Sequence, residues 1–345
     1  MRSVQLLGAT VLFGSSCVQQ PTLAGPLAVR NQHPAQLLVQ HLDPAAATAV
    51  PAGGVEAQLD LAYTSVFLSG AAPRRSFAMD GEYLRVAPRL RVGLGGGLTA
   101  AAALPFAHTS GGFLDDFVID YHDWFGFPDQ GRDEAPRDEF GISLRRTGIG
   151  GGEVWGVQRD GFEWLDLPLE LALQVLPTGP DQLGLAVRGG VELPTGDDDR
   201  GYGSGGIDGS FGAIVDYRPV GLGLYGHLQH TFAGTPARTR AAGLRFADVT
   251  SAGLAAELPL GEALHAFLQV EWETSTLREF DLAVVGRDQV LLWVGGRLEV
   301  ETGWLVELGF GEDLAGKVSP DFTAWLGVVW QPWRRPRAAP LGLPR

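Results

Sequence analysis

The chain has 345 residues, ordinary for one β-barrel and long for one globular domain. Its formal net charge of −14 repels nucleic acid and anionic headgroups, so neither is expected as a partner. Gly is abundant at 49 residues, charged residues reach only 19%, and a single cysteine leaves no intrachain disulfide.

The N-terminus reads as an export segment. Arg2 precedes an apolar stretch from Val4 to Phe13, and small residues follow. Two processing routes are open. Leu12–Cys17 resembles a lipobox, which would lipidate Cys17, although Gly14 stands where Leu is usual. Cleavage after Thr22-Leu23-Ala24 is the alternative, making residues 1–24 a signal peptide. Residues 25–54 are rich in Ala, Pro and Gly and show no clear period. They are expected to form a periplasmic lead-in, with packing into a lumen as an option. No other run approaches the roughly 20 apolar residues of a spanning helix. A membrane could then be crossed only by a closed barrel.

From residue 55 to 332 the dominant pattern alternates with period two. Val55, Ala57, Leu59, Leu61 and Tyr63 oppose Glu56, Gln58 and Asp60. Leu165 to Val175 repeats the pattern against Asp166, Glu170 and Gln174, and Val290 to Val300 repeats it against Arg297 and Glu299. The spacing predicts strands at 55–67, 83–94, 97–109, 139–147, 153–159, 162–177, 183–195, 209–219, 222–233, 244–260, 264–277, 289–300, 304–312 and 322–332. Long loops are expected at 68–82, 110–138, 196–208, 234–243, 278–288 and 313–321. Tight turns such as Gly95-Gly96 and Glu301–Gly303 alternate with them. One connection, Asp160-Gly161, is tight but external by this parity. A soluble sandwich also alternates, but short turns interleaved with long loops are the rhythm of an outer-membrane barrel. The expected fold is an all-β, transmembrane, antiparallel up-and-down barrel of 12–14 strands over 55–332. Fourteen strands follow from this parse, and twelve if a short hairpin is misread. The barrel is expected to be a monomer with a tail over 333–345.

Tyr63, Phe67, Tyr83, Phe106, Trp164, Trp304, Trp325, Trp330 and Trp333 lie near strand ends and fit an interface girdle. On the polar faces, Arg85, Arg89, Arg91, Glu170, Arg188, Glu192, Glu271, Glu273, Arg297 and Glu299 are expected to line the lumen. Such charges can pair and seal it. Alternatively, an Arg wall facing a carboxylate wall sets a field across a pore for small polar solutes. The clustering of Arg residues in 83–94 leans towards the second reading, as does a strand number beyond the roughly eight whose side chains alone fill a barrel.

The most distinctive text is Ser-Gly-Gly-Phe-Leu-Asp-Asp-Phe-Val-Ile-Asp-Tyr-His-Asp-Trp-Phe from Ser110 to Phe125, continuing to Phe140. This block resembles the signature of the domain of unknown function 3187 family, exported bacterial proteins taken to form outer-membrane barrels. Arg30-Asn31-Gln32-His33-Pro34, Asp80-Gly81-Glu82 and Leu104-Pro105-Phe106 resemble it too. The resemblance implies fold and location, and it brings no activity, cofactor or catalytic residue.

Within the block, Phe113, Phe117, Tyr121 and Trp124 recur at helical spacing, with Asp116, Asp120 and Asp123 on the other side. The predicted helix has three readings: a constriction inside the barrel, an interfacial helix on the outer leaflet, or a cap on the rim. His122-Asp123 could be half of a hydrolytic dyad, but no spacing ties it to Ser110 or Ser204. Asp197–Asp199 lacks the ligand order of a calcium loop. The seven His residues show no metal-ligand spacing. No catalytic residue, metal or cofactor is expected. The expected partners are outer-membrane lipid and a small polar solute. The function read from the sequence is a passive outer-membrane channel or transporter. A non-conducting structural or surface-interaction barrel is the alternative, and a barrel hydrolase comes third.

Overall fold

A computed structural model describes residues 23–126, 131–147, 151–158, 161–280, 282–315, 319–320 and 322–334. Cys17 and the end of the tail lie outside them. The strands are β1 (Val55–Ala72), β2 (Arg75–Gly95), β3 (Leu98–Ala103), β4 (Phe106–Ser110), β5 (Gly141–Arg146), β6 (Gly152–Val157), β7 (Phe162–Trp164), β8 (Leu167–Leu176), β9 (Leu183–Leu193), β10 (Asp208–Tyr217), β11 (Gly223–Phe232), β12 (Val249–Pro259), β13 (Leu264–Glu273), β14 (Gln289–Glu301), β15 (Trp304–Ala315) and β16 (Phe322–Trp330). Neighbours pair antiparallel around the sheet, and β1 pairs with both β2 and β16. The sheet therefore closes and leaves no edge in its wall.

The wall has twelve strands, not fourteen. The β3 and β4 segments are one wall strand interrupted at Leu104-Pro105, where proline offers no N–H to the ladder. The facing strand, β7 with β8, breaks at the same level, and Leu165 N–H donates to Pro105 O (3.0 Å). The predicted strands 139–147 and 153–159 exist, but not in the wall. They form the hairpin β5–β6, in which β5 adds to the upper part of β2 through Arg75↔Arg146 to Asp80↔Gly141. This is possible because β1 and β2 run on through the predicted loop 68–82 and turn only at Pro73-Arg74. Alternation could not tell a wall strand from a strand stacked beyond the rim, because both bury one face. Removing two strands preserves parity, and of the tight connection expected at Asp160-Gly161 only Gly161 is among the described residues. Residues 159–160 and 148–150 lie outside the described residues.

Five connections, at 96–97, 177–182, 218–222, 260–263 and 302–303, form a turn end; the longer loops, together with the two-residue turn Pro73-Arg74, form a loop end. Outward positions carry the apolar set, with Leu171, Leu254 and Leu308 exposed. Inward positions are polar or bulky and are buried, because the lumen is occupied. Residues 23–54 run up from the turn end, bend at the 3₁₀ turn Gln36–Leu38 and return to enter β1.

The register gives a direct test. Leu169 faces outward, with 36% of its surface exposed, whereas neighbouring Glu170 faces the lumen and lies 3.6 Å from Arg188. Leu169→Arg should impair insertion into bilayers by about 2–4 kcal/mol. Glu170→Gln should insert normally. Equal folding yields for the two variants in a bilayer refolding assay would contradict this register, since a slip of one residue exchanges the faces.

Candidate functional site: a filled lumen and a helix on the outer wall

Twelve strands enclose a lumen too wide for wall side chains alone to fill, and residues 23–54 fill it. On the way up, Leu27 and Val29 pack against Ala62, Phe267, Leu291, Trp293 and Trp325 of the inner wall. Asn31 donates to Glu273 (2.6 Å) and Gln289 (2.5 Å). At the bend, Thr276 N–H donates to Gln36 (2.8 Å). Leu37, Leu38 and Val39 enter an apolar cap with Trp155, Tyr202, Phe246, Leu277 and Phe280 from the external loops and hairpin. The His33 imidazole lies in this region, and burial pushes its pKa down to about 3. It is therefore neutral, and its Nδ1 accepts from Ala35 N–H (3.2 Å).

On the way down, Gln40 N–H donates to Asp208 (3.0 Å) and Leu42 N–H to Gln229 (3.1 Å). Arg188 donates to the carbonyls of Leu42 (2.8 Å) and Asp43 (2.6 Å). Arg89 pairs with the Asp43 carboxylate. Ala47 N–H donates to Asp216 (3.0 Å), Val50 N–H to Thr99 (3.0 Å), and Gly53 N–H to Gly93 O (2.8 Å). The irregular backbone of the segment thus draws its hydrogen bonds from the inner wall, which is how it tolerates burial. Towards the turn end it fits loosely. A narrow cleft of about 70 Å³ remains, bordered by Arg89, Arg91 and Glu170 of the wall and Asp43 and Ala45 of the segment. Beyond it a vestibule of about 370 Å³ reaches Trp333 and Arg334.

All ten predicted lumen residues lie on the inner face, but they do not form opposed walls. Arg91 pairs with Glu56 on the adjacent strand (2.7 Å), Arg188 with Glu170 (3.6 Å), and Arg297 with Glu257 (2.9 Å) and Glu307 (2.5 Å). Arg85 lies near Asp60. Glu192 sits directly opposite Asp208 in the ladder. Glu271 meets His227 (3.1 Å), Glu273 meets Asn31, and Glu299 borders the vestibule. Lateral pairing wins because strands about 5 Å apart bring opposite charges within contact distance, whereas the lumen is wider and blocked.

The helix of the long loop, α1 (Asp115–Phe125), lies outside the lumen against the wall. Phe117 packs edge-on against Phe322, with centroids 5.3 Å apart. Tyr121 meets Phe310 at 5.7 Å, and Phe113 meets Tyr63 at 5.6 Å. These partners sit on outward faces of β15, β16 and β1, so the constriction reading fails. Val118 and His122 are buried beneath the helix, while Asp116, Asp120 and Asp123 are exposed. Phe113 and Trp124 are 70% and 74% exposed. Two carboxylates fasten the helix. Glu82, on the outward face of β2, accepts from Phe113 N–H (2.9 Å) and Leu114 N–H (2.6 Å) and from Tyr63 OH. These donors at the helix start satisfy a carboxylate that would otherwise face the apolar belt without partners. Asp115 pairs with buried Arg132 and accepts from Asp138 N–H (2.8 Å). Arg132 also donates to Ser65 (3.0 Å) and covers the Phe67 ring.

The sequence from residue 4 to 331 matches the model of the family described as Protein of unknown function (DUF3187). The chain belongs to this family. The block that resembles its signature is the clamp just described, with Glu82, Phe113, Asp115 and Arg132 holding α1 to the wall. No curated protein matches the sequence. Among solved structures, the chain is similar to an outer membrane channel from Pseudomonas putida F1, at 12% identity and TM-score 0.51, covering 84% of this chain and 99% of that one. That likeness supports the barrel fold. The Ralstonia pickettii toluene transporter TbuX matches at 10% identity and TM-score 0.39, covering 90% of this chain and 96% of that one.

Several expected roles change. Tyr83 and Trp325 face inward and are buried, so they do not belong to a girdle. Trp333 borders the vestibule, while Trp304 and Trp330 pair outward with centroids 6.0 Å apart. The Ser204 hydroxyl donates to Gly206 O (2.9 Å) and Asp208 (3.2 Å), away from α1 and His122. Among the described residues no group of three or more His, Cys, Asp or Glu could hold a metal. Sequence reasoning offered packing of 25–54 into the lumen only as an option and named none of its contacts. A signal was present: Phe267, Trp293 and Trp325 are bulky apolar residues on a face that a water-filled pore keeps polar.

The clamp is testable at one glycine. Gly112 has φ +82°, and a Cβ there would overlap the Glu82 carboxyl group. Gly112→Val should release α1 at a local cost of about 1–3 kcal/mol, from backbone strain and the displaced acceptor. Trypsin cleavage after Arg132 or Arg137 should accelerate while the barrel stays folded. Unchanged cleavage would refute the clamp.

Proposed function

We propose that this protein is an outer-membrane channel for small polar solutes that its own N-terminal segment holds shut. The observation that carries this reading is that the path is blocked by residues 23–54, not by the wall. Charged and amide side chains of the inner wall bind the returning half of the blocking segment by polar bonds, while apolar contacts hold it near Leu27 and at the bend. Its turn-end half leaves open space beside it, as expected of an element drawn from the less stable part of a fold. Planar-bilayer recording tests this. The processed chain should show little conductance, and a variant lacking 27–52 should show stable open channels. A folded, inserted deletion variant that passes no current would refute the channel and leave the second reading, a non-conducting structural barrel. The buried apolar cap at the loop end favours that alternative.

The outer-membrane location rests on the outward apolar belt and on aromatic residues at both of its borders. Trp304 and Trp330 mark the turn end. At the loop end the exposed face of α1 continues the belt, and we infer that Phe113, Trp124 and Phe125 rest in the outer-leaflet interface. In bilayers containing shallow brominated lipid, replacing Trp124 with Phe should remove a clear share of the quenchable tryptophan fluorescence. Identical quenching in the variant and the parent would place the helix away from lipid.

A further inference from the structure

Glu257 of β12 is fully buried near the turn end, and five nitrogen or hydroxyl groups lie within hydrogen-bond distance of its carboxylate. Tyr225 OH donates to it (2.6 Å), His265 Nδ1 lies 2.6 Å away and Arg297 Nη1 2.9 Å away. Two further donors are backbone amides of the lumen segment, Gly25 N (3.3 Å) and Ala24 N (3.4 Å). Arg297 also holds Glu307 (2.5 Å) and donates to Gly25 O (2.9 Å). In this cluster the carboxylates of Glu257 and Glu307 share one guanidinium and the imidazole of His265. Neighbouring charges are already matched: Arg218 with Asp216 (2.9 Å) and Arg91 with Glu56 (2.7 Å), while Arg334 shares its field among Glu299, Glu257 and Glu56. The Glu257 carboxylate is itself fully buried, so a further cation in direct contact with it would be well placed, because buried charges need close partners.

Such a cation is available from the chain itself, at the backbone nitrogen of Gly25 that already lies 3.3 Å from the carboxylate. We propose that export processing cuts between Ala24 and Gly25, and that the new α-ammonium of Gly25 docks on Glu257 and locks the N-terminal segment in the lumen. Water adds across the Ala24–Gly25 amide in a hydrolase-catalysed step. Its oxygen goes to the new Ala24 carboxylate, and the nitrogen leaves as the protonated amine of Gly25. The cut precedes folding, because Gly25 is buried once the lumen is filled. An amide at this position offers Glu257 one neutral N–H at long range. An ammonium offers three donors and a full charge, and charge-assisted bonds close to about 2.7–2.9 Å. Gly also suits the position, since a Cβ would press on Ala46 at 3.0 Å. Lipidation at Cys17 is the competing outcome, because it would leave residues 18–24 in place and Gly25 an amide.

The test uses Arg30, the lone trypsin site in 25–54, which is buried in the lumen. Chains beginning at Gly25 are refolded with a free or an N-acetylated amine, each with Glu257 or with Glu257→Gln. The proposal rests on the plugged-channel reading only for the location of the segment, and the proteolytic readout is independent of conductance. The free-amine parent should resist cleavage at Arg30. Acetylation and Glu257→Gln should each accelerate it at least tenfold, and the two together should do no more than either alone, as for two halves of one contact. Intact mass of the outer-membrane protein should show Gly25 as its first residue. Equal protection of the acetylated and free-amine parents would overturn the proposal, even if Glu257→Gln fails to fold. So would an acylated Cys17 at the mature N-terminus.

Discussion

A twelve-strand wall creates an interior that its own side chains cannot fill, and matter must occupy that space if water does not. The rest of this molecule follows from how the space is occupied. An irregular backbone passes through it, and such a backbone brings a donor or an acceptor at nearly every residue. The inner wall therefore carries Asp208, Asp216, Gln229, Glu273 and Thr99 where those groups pass. Charges that would dress the wall of an open pore are instead spent on neighbours one strand away or on the segment itself. The apolar contacts of Leu27 and Val29 near one end and of Leu37 and Leu38 at the bend fix its height. A fully buried Leu or Val contributes about 1.5–3 kcal/mol. Four such anchors over some thirty ordered residues hold the segment firmly at two levels and lightly between them.

Much of the wall was legible in the sequence because its two solvents differ. One face of each strand meets lipid and the other a polar interior, so period-two alternation is strong in β8, β9 and β14, and it assigns all ten candidate lumen residues to the inner face. Strand count was less legible. The β5–β6 hairpin buries Ile142, Leu144, Val154 and Trp155 on one face as a wall strand would, and only pairing shows that they feed the cap. The predicted loop 68–82 hid a strand extension, since Gly70 and Gly81 look like loop residues although the ladder runs past them. The lumen segment itself has no period to read, because its backbone follows the partners it finds.

The outside of the barrel obeys the same accounting with the sign reversed. Glu82 and Arg132 stand on or near an outward face where neither could remain bare, and α1 with its flanking loop covers both. The family signature is thus explained by structural chemistry before any catalysis is invoked. A carboxylate receives a helix start, a guanidinium receives a carboxylate, and glycines allow close approach. His122 is covered by the same helix, which sets it apart from Ser204 in a different loop.

Both ends of the lumen segment lie at the turn end, and this has a topological consequence. The wall closes by pairing β1 with β16, the first strand with the last, so no interior exists until the whole chain is made. A segment that crossed the barrel once would have to be threaded through it or trapped as the wall closed. A hairpin needs neither. It can enter a finished barrel bend-first and leave by the same mouth, with no chain end passing through the ring and no knot formed. Assembly of the wall and filling of the lumen are thereby separable events, and the first can be complete before the second begins.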